Sequence, residues 1–221
     1  MKKLLVAAAA LLSFSLANAQ VAFNLGYFNV NSETTTSVGN LSTTEKESGN
    51  SFNFLFTDNI NLVSDLNVNV GGGFYFGFDK DDDVKYKDFG LIIPFEFNYS
   101  FALGSDFKLS PYAGPIFDLG LVSKSKSDDE ELNWFDNDLV NYKRLGIYLG
   151  VGAMLDFQDM LRLKVGYNFG LLDGIKECKV PATDMEAKYK GLVVSVGYLF
   201  FHHRFNCFPW KCIWTGFFHL F

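Results

Sequence analysis

Histidine, proline, cysteine and tryptophan are scarce in this 221-residue chain, at 3, 5, 3 and 3 residues, and the placement of the few present narrows what the chain can do. His202, His203 and His219 all fall in the last stretch. Activation of a hydroxyl near neutral pH by a histidine base is therefore excluded from the first 201 residues. Basic side chains are also short, with 19 Lys and Arg against 25 Asp and Glu, so the chain has no electrostatic footprint for nucleic acid. Beyond residue 19 there is no uninterrupted apolar run of 18 residues, which excludes a membrane-spanning helix. The length allows one domain and makes no case for two.

What is abundant is phenylalanine, 25 residues within an aromatic content of 17%, together with 20 glycines. The start of the chain reads as an export leader. Met1, Lys2 and Lys3 are followed by an apolar run over residues 4–16 and by the small-x-small site Ala17-Asn18-Ala19 before Gln20. The run is well short of the roughly 20 residues a spanning helix needs. Cleavage between Ala19 and Gln20 would remove Lys2 and Lys3 and take the net charge from -6 to -8.

From residue 20 the pattern has a period of two, the signature of strands whose side chains alternate between faces. Residues 191–200 show it best: Leu192, Val194, Val196, Tyr198 and Phe200 alternate with Gly191, Val193, Ser195, Gly197 and Leu199. Seven further stretches behave alike, at residues 21–30, 51–57, 67–78, 89–101, 107–121, 145–157 and 161–171. In 67–78, Val68, Val70, Phe74, Phe76 and Phe78 oppose Asn67, Asn69, Gly71, Gly73 and Gly77. Pro94, Pro111 and Pro115 interrupt two of the stretches, because proline cannot donate to a ladder. The turn at residues 158–160 sets Asp156 opposite Arg162, and opposite charges across a hairpin support that register.

Long polar loops are expected at residues 31–50, 79–88, 122–143 and 173–188, after strands one, three, five and seven, with short connections after strands two, four and six. An even number of antiparallel strands with alternating loop lengths is what an outer-membrane barrel requires, its long loops outside and its ends in the periplasm. Bilayer hydrocarbon cannot satisfy open sheet edges, so the ring must close, with residues 191–200 against residues 21–30. The expected fold is all-β, an eight-stranded antiparallel up-and-down transmembrane β-barrel over residues 20–201. A soluble lipocalin-like barrel would turn its apolar faces inward, the reverse of the pattern here.

With its leader, alternation, loop asymmetry and the ending Leu192-x-Val194-x-Val196-x-Tyr198-x-Phe200, the chain resembles the small outer-membrane β-barrel proteins of Gram-negative bacteria, the OmpA/OmpX-like and PorT-like group. The resemblance implies residence in the outer membrane, lipid and lipopolysaccharide as surroundings, and recognition of the terminal strand by the barrel-assembly machinery. It implies no cofactor. Outer-membrane enzymes acting on lipid A or phospholipid use a histidine beside a serine, and no histidine precedes His202. The expected function is non-enzymatic, in surface contact, adhesion or membrane structure through the outer loops, with an unidentified extracellular ligand. The alternative is a small pore or lipid-interacting transport protein.

Inward positions carry Glu96, Asp118, Asp156, Arg162 and Lys164, and Lys108 if the fifth strand keeps its phase. They read either as a selectivity or ligand site, or as a polar interior that satisfies itself. The second is favoured because eight strands enclose only enough room for their own side chains. Tyr75, Tyr112 and Tyr148 are expected to cross that lumen, in space left by inward glycines. The acidic clusters at residues 79–83 and 128–131 read as solvated loops in reach of the divalent ions that bridge lipopolysaccharide, rather than as dedicated calcium sites. Cys178 belongs to the fourth outer loop, apart from Cys207 and Cys212, which the oxidising periplasm could join. Residues 202–221 are compositionally foreign to the barrel and read either as an interfacial anchor or as translation past the natural end.

Overall fold

The computed structural model describes residues 20–81, 84–127 and 130–200. The leader of residues 1–19, with Ala19 of the expected cleavage site, residue 201 at the end of the expected barrel and the tail of residues 202–221 lie outside these. Every regular element among the described residues is a strand: β1 (Gln20–Val38), β2 (Leu41–Val63), β3 (Leu66–Asp81), β4 (Val84–Tyr99), β5 (Phe101–Ala102), β6 (Phe107–Ser127), β7 (Glu130–Asn133), β8 (Val140–Tyr142), β9 (Leu145–Phe157), β10 (Leu161–Gly170), β11 (Ile175–Cys178) and β12 (Thr183–Phe200). Eight of them, β1, β2, β3, β4, β6, β9, β10 and β12, pair antiparallel in that order, and β12 returns to β1. The closing seam is continuous from Val21 opposite Phe200 to Val38 opposite Thr183. No edge of the ring is left open, as a structure in hydrocarbon demands.

Alternation sorts the side chains as the sequence predicts. Phe54, Phe76, Phe95, Leu163, Val165 and Val196 are exposed on the outer wall, whereas Asn24, Asn69, Glu96, Met154 and Arg162 are buried inside. A surface this apolar is a liability in water and an asset in lipid. Rings on adjacent strands meet across the outer face, among them Phe23 with Phe56 at 5.1 Å between centroids and Phe74 with Phe89 at 5.8 Å. Each such cross-strand pair contributes about 0.2–1 kcal/mol. Along β4 the apolar face runs from Tyr99 to Phe89, ten residue steps that rise about 25 Å at the usual tilt. Aromatic pairs mark the periplasmic rim, with Tyr99 and Phe101 at 4.8 Å and Tyr198 and Phe200 at 4.9 Å.

The polar segments expected to be loops are largely strand instead. Residues 31–50 continue β1 and β2 to a two-residue turn at Gly39 and Asn40, with Thr35 opposite Thr44 and Thr36 opposite Thr43. Gly39 supplies the positive φ of 57° that such a turn needs. The reason is local: this stretch is rich in threonine, a strand former, and Lys46 and Lys190 both reach Glu33, at 3.2 and 2.7 Å. Their ammonium groups, Lys190 first, hold the Glu33 carboxyl below the usual carboxylate range. Likewise β3 and β4 extend through most of residues 79–88. The segment 122–143 contains the end of β6 with β7 and β8, and 173–188 contains β11, paired to β8, and the first turn-proximal residues of β12. The short connection expected between the stretches at residues 51–57 and 67–78 shrinks to Ser64 and Asp65, since β2 runs on to Val63 and β3 starts at Leu66.

The outer wall can be tested by charge. Val165→Lys, near the middle of the apolar band on β10, should lower unfolding stability in phospholipid vesicles by about 2–4 kcal/mol. The same lysine at Thr44, on the extended hairpin, should change it by less than about 0.5 kcal/mol. Equal costs at the two positions in guanidinium titrations would contradict this placement of the bilayer.

Candidate functional site

The inward faces of β3, β4, β6, β9 and β10 converge on one set of charges, because each strand contributes every second side chain to the lumen. Lys164 on β10 donates to both carboxylate oxygens of Glu96 on β4, at 2.6 and 2.7 Å. Glu96 is fully buried and Lys164 is 11% exposed. Asn69 Nδ2 donates to Glu96 Oε2 at 3.0 Å, and the Lys164 ammonium lies 4.4 Å from the centre of the Tyr112 ring. One step nearer the periplasm, Arg162 Nε and Nη2 grip the two oxygens of Asp156 at 2.7 and 2.8 Å. This fork is the favoured geometry of an arginine-carboxylate pair.

The five charges thus fall into two ion pairs and a separate member. Asp118 sits further outward and takes a hydrogen bond from the Tyr75 hydroxyl. Lys108 does point inward on β6, as the alternation implied, but at the periplasmic mouth it is 40% exposed and pairs with Asp159 at 3.2 Å. Around these charges run amide and hydroxyl contacts: Asn24 to Thr57 at 3.1 Å, Asn98 to Asn59 at 2.9 Å, and Ser100 with Ser110 at 3.0 Å.

Tyr112 is 5% exposed and crosses the lumen between glycines. A Cβ on Gly166 would stand 1.9 Å from its hydroxyl oxygen, and one on Gly90 would stand 2.5 Å from the Tyr75 ring. These two glycines are needed for close approach rather than for backbone freedom. Between these side chains lies a cavity of about 30 Å³, bounded by Glu96, Tyr112, Ile116, Lys164, Asn168 and Val193 among others. That volume holds a water molecule or two and no larger solute.

With the closed ring and filled lumen described, the chain can be set beside known proteins. Residues 5–200 match the model of the outer membrane protein beta-barrel domain. The chain belongs to that family. Its place is therefore the outer membrane, and its aromatic wall faces lipid. Solved structures with a similar fold include Ail, the attachment invasion locus protein of Yersinia pestis, at 14% identity and a TM-score of 0.38, over 83% of this chain and 99% of that one. The Neisserial surface protein A is 15% identical with a TM-score of 0.42, over 80% and 97%. The outer membrane enzyme PagL is 14% identical with a TM-score of 0.36, over 75% and 97%. No curated protein matches the chain.

Several members of the lumen network are not apparent from charge alone. Asn69 and Tyr112 carry no formal charge, and only the barrel's shear brings them to Glu96 and Lys164. Asp88 is inward as well, opposite Gly77 and Ser123, but it falls inside a segment whose polarity reads as loop. Its position two residues before Gly90, on the same inner face, was the available signal. Residues 82, 83, 128 and 129 of the two acidic clusters lie outside the described residues.

Breaking the central pair should be costly and replacing it should not. Glu96→Ala should strand the Lys164 charge and destabilise the barrel by about 3–5 kcal/mol, whereas Glu96→Leu combined with Lys164→Met should recover most of that loss. Unfolding titrations of the two variants check the coupling, and a double variant as damaged as the single one would count against it.

Proposed function

We propose that this barrel works at the cell surface through its outer hairpins, as a non-enzymatic contact or adhesion protein, and that its lumen is structural. The observation that carries the reading is the contrast between the two ends of each strand. Within the membrane the interior is packed with paired charges, tyrosines and amides, and the cavity beside Glu96 and Lys164 is only about 30 Å³. Beyond it, β1 and β2 continue past Tyr27 and Phe52 as a ladder of about 35 Å of contour, with exposed Ser, Thr, Glu and Lys. An ordered, solvent-facing sheet presents side chains in fixed positions, which suits recognition of another surface and lowers the entropy cost of binding.

Export by a leader cleaved between Ala19 and Gln20, and assembly through the terminal pattern from Leu192 to Phe200, belong to the same reading. Two features of the described residues support this reading over an enzyme or a pore. Hydrolysis near neutral pH needs a base within reach of a nucleophile; of the inward carboxylates, Glu96 and Asp156 are each held by a cation, and Asp118 takes a hydrogen bond from the Tyr75 hydroxyl inside the packed lumen. A pore needs a continuous aqueous path, which the central ion pair and Tyr112 cross.

Two measurements test the proposal. Purified protein refolded into planar bilayers should show almost no single-channel conductance, and steady open-channel currents would favour the pore. Replacing residues 33–46 by a short turn should leave the heat-modifiable gel migration of a folded barrel intact and abolish attachment of expressing cells to host-cell or matrix surfaces. Unchanged attachment would remove the hairpin from the function.

A further inference from the structure

On β4 the outward face reads Phe97, Phe95, Ile93, Leu91, Phe89 and then Lys87 and Lys85, so cations follow the apolar band directly. β6 would not match this if its alternation continued unchanged. Up to Leu121 its odd positions face out, and Lys124 and Lys126 would turn inward. The ladder slips at that point: Gly90 faces Gly120 but Phe89 faces Val122, leaving Leu121 as an extra residue. Such a bulge re-aims the side chains that follow. Val122, Lys124 and Lys126 are exposed, and Ser125, now inward, is 4% exposed.

The result is two lysine pairs in direct register on one outer face, Lys87 opposite Lys124 and Lys85 opposite Lys126. One strand further on, Lys80 holds the register position opposite Lys85. Like charges directly opposite each other destabilise a sheet. The carboxylate that answers them is Glu131 on β7, opposite Lys126 and hydrogen-bonded by Lys124. Lys124, and more weakly Lys126 and Lys87, hold its carboxyl below the usual range. Among the side chains described on this outer face, Glu131 is the carboxylate that meets the four lysines, because Asp79 and Asp88 hold inward register positions opposite Tyr86 and Gly77. By contrast, the cations above the apolar band on the β1–β12 side are each answered by a carboxylate: Lys46 and Lys190 converge on Glu33, and Lys188 pairs with Glu186 at 3.1 Å.

Position and shape then select the ligand. The four lysines stand just above Phe89 and Val122, at the level of the outer leaflet's head groups. Beside Lys85 and Lys87 lies an open depression of about 410 Å³ that Asn50, Phe78, Asp79 and Tyr86 also bound. It sets the two lysines beside the Phe78 ring, which is in register with Lys87, so a cationic and an aromatic surface meet at one height. Lysine is a strong point-charge partner for phosphate.

We propose that Lys85, Lys87, Lys124 and Lys126 form a binding site for the phosphorylated head group of an outer-leaflet lipid, with the lipid's chains lying along Phe78 and Phe89. The bulge at Leu121 is the device that assembles it.

The full chain, refolded in phosphatidylcholine nanodiscs doped with bisphosphorylated lipid A or with its dephosphorylated form, tests this by thermal unfolding and by native mass spectrometry of retained lipid. The wild type should gain in unfolding midpoint and hold lipid A only when the phosphates are present. The variant K85Q/K87Q/K124Q/K126Q should lose that phosphate-dependent gain and the retained lipid, while in undoped nanodiscs it is at least as stable as wild type because repulsion is relieved. K46Q/K188Q should behave as wild type. Should the quadruple variant fail to fold, K87Q/K124Q gives the same comparison with half the charge removed. Equal retention of dephosphorylated lipid A, or a gain unaffected by the lysine substitutions, would overturn the proposal. Protection by soluble heparin that equals protection by lipid A, and is lost in the same variants, would reassign the cluster to soluble polyanions and overturn the lipid assignment.

Discussion

Everything in this molecule depends on the requirement that no backbone amide or carbonyl meet hydrocarbon unpaired. In water an open sheet edge costs little, but in a bilayer each unsatisfied group costs several kcal/mol. The seam between β1 and β12 is the consequence, running without interruption from Val21 opposite Phe200 to Val38 opposite Thr183. Once the ring is closed at eight strands, its diameter is set, and so is the size of the interior. Alternation then forces every second residue into that narrow space, and those side chains have to satisfy one another. The pairing of Glu96 with Lys164 and of Asp156 with Arg162 follows from confinement.

The same ladder serves a different purpose outside the membrane. Above the aromatic band the strands of the β1–β2 hairpin continue with Thr, Ser, Glu and Lys where Phe and Leu had been. A polar strand is a stable object there because both partners of each backbone hydrogen bond are already aligned by the barrel beneath. The hairpin inherits its register from the wall, so ordering it costs less entropy than ordering an isolated hairpin. Loop polarity was a true signal of exposure and a misleading signal of irregularity. The threonine-rich run and the Gly39-Asn40 turn carried the correct information on a smaller scale.

Much of the wall is legible along the chain. Leu192 to Phe200, Val68 to Phe78 and Leu161 to Phe169 show their two faces plainly, and Asp156 opposite Arg162 follows from a short hairpin. The lumen partners are legible only as a list of inward residues. Lys164 and Glu96 are 68 residues apart, and nothing local records that their strands lie across the ring from each other at the same height. The lysine cluster is hidden more deeply still. One bulge reverses the phase of β6 after Leu121, and a strict two-residue period misassigns every side chain beyond it.

The sequence by itself determined that the chain crosses a membrane as strands, how many it uses, and which face of most of them meets lipid, because period, strand length and hydrophobicity are properties of neighbouring residues. The tertiary structure alone decided which charges pair, how full the lumen is, where the ladder slips and how far the hairpins stand above the bilayer. Those depend on the stagger between strands far apart in the chain, a relation fixed only when the ring closes.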